Sequence, residues 1–304
     1  MISPALLGRA RIVAGPEVAD AAVRGLEAAT GRPVERGHGD GPFVYVGASL
    51  PDVVRGADLV WFHSVNAGTD ALLRERPWPE GVLLTRTVGR MGERIAQYVL
   101  GWVLAECQSV PEFAAQHARA EWRRIDSELV AGQTAVVHGI GRIGSAVAAL
   151  LRACGIRTVA AARTPRPVPP GFDAVAVDDE PVAARWVIAA LPLTGATTGY
   201  FGADRFAALG GATFLNVGRG ATVDLGALED ALRSGAVGRA VLDVLADEPA
   251  EPGDPCWRLP RTVVTSHSAG ITADEDIVAD FTVCLRELTA GRVPDLTVDT
   301  ARGY

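Results

Sequence analysis

The chain has 304 residues, 48% of them hydrophobic and 21% charged, with 29 basic against 36 acidic residues for a net charge of −7. That length accommodates two domains with cores of their own, and the composition excludes a disordered chain. The acidic balance argues against nucleic acid or a membrane as partner, no apolar run reaches the length of a membrane span, and the start "MISPALLGRARIV" lacks the apolar core of a signal peptide.

Every basic residue is arginine. A P-loop lysine, a Schiff-base lysine and a lysine general base are therefore impossible. The four cysteines, Cys107, Cys154, Cys256 and Cys284, are scattered without metal-ligand spacing. No metal is expected; they read as buried thiols of a reducing cytoplasm.

In chain order, "ARIVA" (10–14), "FVYVG" (43–47), "ADLVWFHS" (57–64) and "VLLTRT" (82–87) are short apolar runs. Helical or loop stretches separate them, the pattern of a small parallel-sheet domain. A long helix is predicted over 90–107, where Ile95, Tyr98, Val99, Trp102 and Val103 recur at helical spacing. A second series follows at 134–138, 158–162, 185–191, 213–217, 239–244 and 262–267, the rhythm of a doubly wound nucleotide-binding sheet. Between these runs lies a helix over 225–235 with Asp224 as its N-cap. A last helix over 274–291 can return the chain to the first domain.

Gly139, Gly141 and Gly144 form a G-x-G-x-x-G between an apolar strand and an Ala/Leu-rich helix. This is the context a dinucleotide cradle requires. Gly139 allows the tight turn, Gly141 lets a pyrophosphate touch the backbone, and Gly144 lets helix meet strand. The helix N-terminus, at Arg142 and Ile143, offers N–H groups to the phosphates. In an NAD-binding chain an acid about 20 residues on would accept the ribose hydroxyls. Here the second strand ends at Ala162 and is followed by Arg163, Thr164 and Arg166. Guanidinium groups suit a 2′-phosphate, so NADP(H) is the expected cofactor, with NAD(H) also possible.

"FLNVGRG" (214–220) raises the question of why an apolar run should end in an arginine between two glycines. It is followed by "DVLADEP", with Asp243 and Glu248, and by "VVTSHSAG", with His267. Each lies behind an apolar run, so all three segments can gather at the carboxyl edge of one sheet. Taken singly, Arg219 is a solvated turn residue, Glu248 a turn residue before Pro249, Asp243 a cap and His267 a core histidine. Their order behind a dinucleotide cradle favours a site.

The chain resembles the D-isomer-specific 2-hydroxyacid dehydrogenase family over most of residues 43–290. The motifs are "GIGRIG", "LPLTGATTGYF", "FLNVGRG", "DVLADEP", "DPCWRLPRTVVTSHSAGIT" and, more loosely, "VNAGTD". "RTVGRMGERIAQYVLGWVLAE" and "ARTPR" are most similar to the glyoxylate/hydroxypyruvate reductases. The resemblance implies a Rossmann-type doubly wound parallel sheet plus a smaller flavodoxin-like α/β substrate domain. The expected division is a discontinuous substrate domain, 1–93 and 276–304, and a dinucleotide-binding domain, 94–275.

By the same resemblance Arg219 binds the substrate, Glu248 supports the histidine, and His267 exchanges the proton. Asp243 lies near the nicotinamide, and Leu191, Pro192, Thr197 and Val217 line the cofactor. Ala67 and Gly68 turn backbone N–H groups to the substrate carboxylate. Ser266, Gly218 and Asn66 depart from the Pro, Ala or Ser, and Gly usual at their places, and none of these removes a catalytic group. The implied reaction is NADP-dependent reduction of a small 2-oxo acid to the D-2-hydroxy acid by a cytoplasmic homodimer joined through the cofactor domain. The alternatives are NAD-dependent oxidation of another D-2-hydroxy acid and a non-catalytic dinucleotide-sensing role.

Overall fold

The apolar runs become parallel strands in two separate sheets. The computed structural model describes residues 2–37, 41–55, 58–74, 77–177 and 180–301. Ala57, at the head of the expected 57–64 run, lies outside them. The chain divides into two compact units, Met1–Met91 with Thr272–Tyr304, and Gly92–Ile271.

In the first unit, α1 (Pro4–Arg9) leads into β1 (Arg11–Ala14), α2 (Asp20–Thr30), β2 (Val34–Arg36) and β3 (Phe43–Gly47). Then come α3 (Asp52–Arg55), β4 (Leu59–Ser64), α4 (Asp70–Arg74) and β5 (Leu83–Arg86). The strands lie in the order β2-β1-β3-β4-β5, all parallel. This is the flavodoxin-like order. Alternate residues serve opposite faces: Ile12, Val44 and Trp61 join one apolar cluster, and Val13, Tyr45 and Phe62 the other. Burial on both faces explains why these strands read as continuous apolar runs. β2, "VER", buries little beyond Val34 and left no such run to find.

The second unit holds α5 (Met91–Cys107, from its second residue onward), α6 (Val110–Ala118), β6 (Thr134–His138), α7 (Arg142–Ala153), β7 (Arg157–Ala162) and β8 (Ala174–Val177). It continues with β9 (Trp186–Ala189), α8 (Ala203–Ala207), β10 (Ala212–Asn216), α9 (Leu225–Ser234), β11 (Val237–Leu242) and β12 (Thr262–Val264). Its sheet runs β12-β11-β10-β9-β6-β7-β8, again all parallel. Counted from β6 the order is 3-2-1-4-5-6 with a seventh strand added, the doubly wound Rossmann arrangement. The order reverses between β6 and β9, and that point of reversal is where such sheets bind ligands. Asp224 caps α9 by accepting the Ala227 N–H at 3.0 Å, and Gly235 ends the helix at φ 84°.

The last helix, α10 (Asp274–Thr289), belongs to the first unit. Its Phe281 stacks on Trp61, with ring centroids 4.8 Å apart. His63 lies edge-on to the same two rings and is fully buried. Its Nδ1 is 2.7 Å from the Thr85 hydroxyl and its Nε2 3.1 Å from the Thr87 hydroxyl. Trp61 Nε1–H donates to the same Thr85 oxygen at 2.7 Å. Both ring nitrogens are thus satisfied within the core, and His63 is a structural residue.

Burial pushes the His63 imidazole down to about 3, against about 6.5 for an unfolded histidine. The unfolded chain therefore binds the extra proton, so stability is full above about pH 6.5 and falls as pH drops toward 3, by up to ~1.4 kcal/mol per pH unit. Calorimetric Tm measured from pH 7 to pH 4 should fall more steeply in the wild type than in His63→Gln, which cannot take up a proton. Equal slopes would remove His63 from the acid sensitivity.

Candidate active site

The cradle begins where β6 ends. Gly139 has φ 102°, and a Cβ there would overlap the carbonyl oxygen of Ala190 beyond β9. A Cβ on Gly144 would overlap the carbonyl of Gly139. The protein's own packing therefore requires these two glycines. Gly141 differs, because a Cβ on it would meet nothing within 4 Å. Its bare backbone faces open space at the start of α7, whose N-terminus no side chain caps. The N–H groups of the first turn, at Arg142, Ile143 and Gly144, suit a phosphate. This arrangement fits a dinucleotide pyrophosphate.

Leu191 and Pro192 follow β9 at the reversal point. Thr197 closes the turn after them, its hydroxyl donating to the Pro192 carbonyl at 2.6 Å. Val217 is buried just beyond β10. At the end of β7, Arg163, Thr164 and Arg166 are exposed. Among the described residues neither arginine has a hydrogen-bond or ion-pair partner.

Arg219 lies three residues beyond β10. The glycines beside it answer the question its motif raised. A Cβ on Gly218 would come within 2.6 Å of the Leu191 carbonyl, and one on Gly220 would overlap the backbone of Leu245. The loop is thus wedged between the turns that follow β9 and β11. The buried Asn216 side chain clamps it: Oδ1 accepts the Gly218 N–H and Nδ2–H donates to the Arg219 carbonyl, both at 3.1 Å. The Thr222 hydroxyl donates to that carbonyl at 2.6 Å. The Arg219 guanidinium, half-buried, donates to Gly218 O at 2.8 Å.

His267 lies three residues beyond β12, and Glu248 in the loop after β11. The Glu248 carboxylate is held at both oxygens. Oε1 accepts the Leu245 N–H at 2.7 Å and Oε2 accepts from His267 Nδ1 at 2.7 Å. An ionised carboxylate only accepts, so Nδ1 carries the proton and Nε2 is left as the working nitrogen of the ring. Ser266 and His267 both have φ 55°. Left-handed backbone costs a residue with a side chain roughly 1–2 kcal/mol.

Asp243, 3% exposed, holds this turn from beneath. Its Oδ1 accepts from Thr265 Oγ1 at 2.7 Å, Ser268 N at 2.8 Å and Ala269 N at 3.0 Å. Its backbone carbonyl accepts the His267 N–H at 2.6 Å. A cleft of about 370 Å³ opens beside the turn, lined by Asp243, Leu245, Glu248, Pro249, Trp257 and His267 among others.

Arg219, Asp243, Glu248 and His267 therefore sit on consecutive loops at one sheet edge, in the unit that holds the cradle. Ala67 and Gly68 belong to the other unit. They lie after β4 in a turn where Asn66 N donates to Ser64 Oγ at 3.1 Å and Arg86 donates to the Ala67 carbonyl at 3.2 Å. Sequence reasoning passed over Asn216 and Thr265, and it placed Tyr98, 2.6 Å from Thr265, in the helix core. A polar residue closing an apolar run, as in "TFLN", was the available signal for Asn216.

Comparison with known proteins identifies the family. Residues 100–269, more than half of the chain, match the family model of the D-isomer specific 2-hydroxyacid dehydrogenase NAD binding domain. An uncharacterized Streptomyces coelicolor protein from the mprR 3′ region is 55% identical over 275 residues, 89% of this chain and 99% of that one. Glyoxylate/hydroxypyruvate reductase A of Serratia proteamaculans is 31% identical over 252 residues, 79% of this chain and 80% of that one. The crystal structure of a D-isomer specific 2-hydroxyacid dehydrogenase from Xanthobacter autotrophicus Py2, in complex with NADPH and MES, superposes with a TM-score of 0.86 at 29% identity, covering 97% of this chain and 100% of that one. The chain belongs to the D-isomer specific 2-hydroxyacid dehydrogenases, a family of NAD(P)-dependent oxidoreductases.

Proposed function

We propose that the protein reduces a small 2-oxo acid, of the glyoxylate or hydroxypyruvate type, to the D-2-hydroxy acid, with NADP(H) as its preferred cofactor. The observation that carries this reading is the Glu248–His267 pair at 2.7 Å, on the same sheet edge as Arg219. The substrate class is also that of the Serratia relative.

The nicotinamide dinucleotide supplies the hydride when bound. Arg219 grips the carboxylate and the carbonyl oxygen of the oxo acid with its two-pronged guanidinium. It thereby stabilises the negative charge that develops on that oxygen. His267, protonated at both nitrogens, donates from Nε2 to the same oxygen. Glu248 accepts from Nδ1–H at 2.7 Å and so fixes the ring with Nε2 free for that exchange. In the opposite direction neutral His267 accepts the alcohol proton at Nε2. Asp243 Oδ2, with one shared N–H at 3.1 Å, keeps capacity to accept from the nicotinamide carboxamide. The backbone N–H groups of Ala67 and Gly68 are assigned to the substrate carboxylate.

Steady-state kinetics test the roles. Arg219→Ala should abolish useful turnover while NADPH binding stays intact, and Arg219→Lys should rescue it in part because an ammonium lacks the planar fork. His267→Gln should cost on the order of a hundredfold or more in kcat. Near wild-type activity in either Arg219→Ala or His267→Gln overturns the reading.

The cofactor preference rests on Arg163 and Arg166, exposed at the end of β7 where an NAD enzyme would carry an acid. The Xanthobacter relative is itself complexed with NADPH. One charge-assisted contact to a 2′-phosphate contributes about 1.5–3 kcal/mol, so kcat/KM should favour NADPH over NADH by roughly tenfold or more. Arg163→Asp should reverse that ratio, and salt should shrink it in the wild type. A wild type that prefers NADH at low and high salt alike defeats the assignment.

The homodimer reading rests on a run of exposed apolar side chains in the cofactor-binding unit. Val110 and Phe113 of α6 are exposed, and Trp122 and Leu129 stand out into solvent from the segment that follows. Exposed apolar side chains on neighbouring segments support the reading of an interface in this unit. Sedimentation should show a dimer in the wild type and monomer in Trp122→Glu; a monomeric wild type at micromolar concentration would rule the dimer out.

A further inference from the structure

We infer that Tyr98 is a positioning residue for the reaction: acting through the Thr265 hydroxyl, its phenol orients the Asp243 carboxylate that holds the His267 turn. The inference rests on the reading of His267 as the proton donor.

The direction of the chain follows from counting protons. The Asp243 carboxylate accepts backbone N–H groups from Ser268 and Ala269, so it acts as an acceptor. Thr265 Oγ1 donates to it at 2.7 Å. A hydroxyl has a single proton. The 2.6 Å contact between Tyr98 Oη and Thr265 Oγ1 therefore runs from tyrosine to threonine. The sequence is Tyr98 O–H to Thr265 O–H to the Asp243 carboxylate, and from that carboxylate to the two amides that follow His267.

Each link is built for rigidity. Tyr98 stands on α5 between the buried Ile95, Val99 and Val103, with its ring edge-on to Trp102 at 6.3 Å. Burial pushes its phenol up to about 12, and the charge of Asp243 pushes in the same direction, so it stays a donor at every working pH. With the phenol in place, a lone pair of Thr265 is occupied and its proton is directed at Asp243. Without it the Thr265 hydroxyl is held at one end only, and its bond to Asp243 Oδ1, the oxygen that also accepts both amides, is less firmly directed. A turn with two successive left-handed residues depends on those amide contacts, and a His267 that wanders delivers its proton less often.

Tyr98→Phe keeps the ring and removes the donor. Thr265→Val keeps the volume and removes the relay, and Thr265→Ser restores the hydroxyl. The links are in series. Tyr98→Phe and Thr265→Val should therefore each lower kcat by about five- to tenfold, the worth of one buried hydrogen bond, with the KM for NADPH unchanged. Thr265→Ser should stay near the wild type, and the double variant should be no slower than Thr265→Val alone. Hydrogen exchange supplies a readout without turnover. The Ser268 and Ala269 amides should exchange about tenfold faster in Tyr98→Phe, and the Gly218 amide, clamped by Asn216, should not change. Wild-type kcat in Tyr98→Phe overturns the inference. So does unchanged exchange at 268–269, or a double variant whose loss is the product of the two single losses. If His267→Gln stays active the acid–base reading fails by itself, while the exchange at 268–269 still decides the relay.

Discussion

Two successive residues with side chains, Ser266 and His267, hold left-handed backbone, and one buried carboxylate keeps them there. Asp243 occupies the first position beyond β11, where a strand end would otherwise leave backbone groups unpaired. Its carbonyl takes the His267 N–H and its side chain takes the next two. That constraint sets where Glu248 must stand. The ring is fixed by its own backbone, so the carboxylate reaches it through a loop pinned at Leu245 N. The loop is pressed in turn against Gly220, where a side chain could not fit. Arg219, Glu248 and His267 share one edge because three neighbouring parallel strands end together there.

The Arg219 loop uses the same device with a different residue. Asn216 ends β10 as Asp243 follows β11, and the two are joined directly, the Asp243 N–H donating to the Asn216 carbonyl at 3.0 Å. An amide suits the first position because the loop offers it both a donor, Gly218 N–H, and an acceptor, Arg219 C=O. A carboxylate suits the second because that turn offers donors alone. Both clamps are buried and hydrogen-bonded to the loops they hold, which makes them costly to alter. The groups assigned to chemistry stay accessible: the His267 side chain is 52% exposed, and Arg219 is half-buried.

The fold was largely legible in the sequence because parallel strands buried on both faces leave continuous apolar runs. β3 and β6 were placed to the residue, and β10 within one. β2 and β8 escaped because they are short edge strands; β8, "AVAV", buries Ala176 alone. The glycines of the cradle were legible as a motif, but the structure divides their work. Gly139 and Gly144 answer to packing, whereas Gly141 is left bare by it. Arg219, Glu248 and His267 stood out as charged residues behind apolar runs. Asn216, Thr265 and Tyr98 did not, since their significance lies in contacts between elements far apart in the chain. Tyr98 and Thr265 are separated by 167 positions, and the helical spacing of Tyr98 pointed, correctly, to an inward-facing side chain without saying what it meets.

The first unit pins its strand-end loops with polar side chains as well. Glu17 Oε1 accepts the Ala48 N–H at 2.5 Å beyond β3, and Arg36 donates to the Gly15 carbonyl at 2.5 Å beyond β1. Arg86, at the end of β5, reaches the Ala67 carbonyl. A parallel sheet delivers every strand end to one edge, and each leaves backbone donors and acceptors that apolar packing cannot satisfy. Side chains that answer those groups convert the loops into rigid supports, and a rigid support is what positioning a reacting atom requires. The polar residues that close apolar runs in this chain thus serve the fold and, on the proposed function, the chemistry through the same hydrogen bonds. A change at Asn216 or Asp243 would therefore register in stability and in turnover together, whereas one at Arg163 or Arg166, exposed and bonded to nothing among the described residues, is free to register in ligand binding alone.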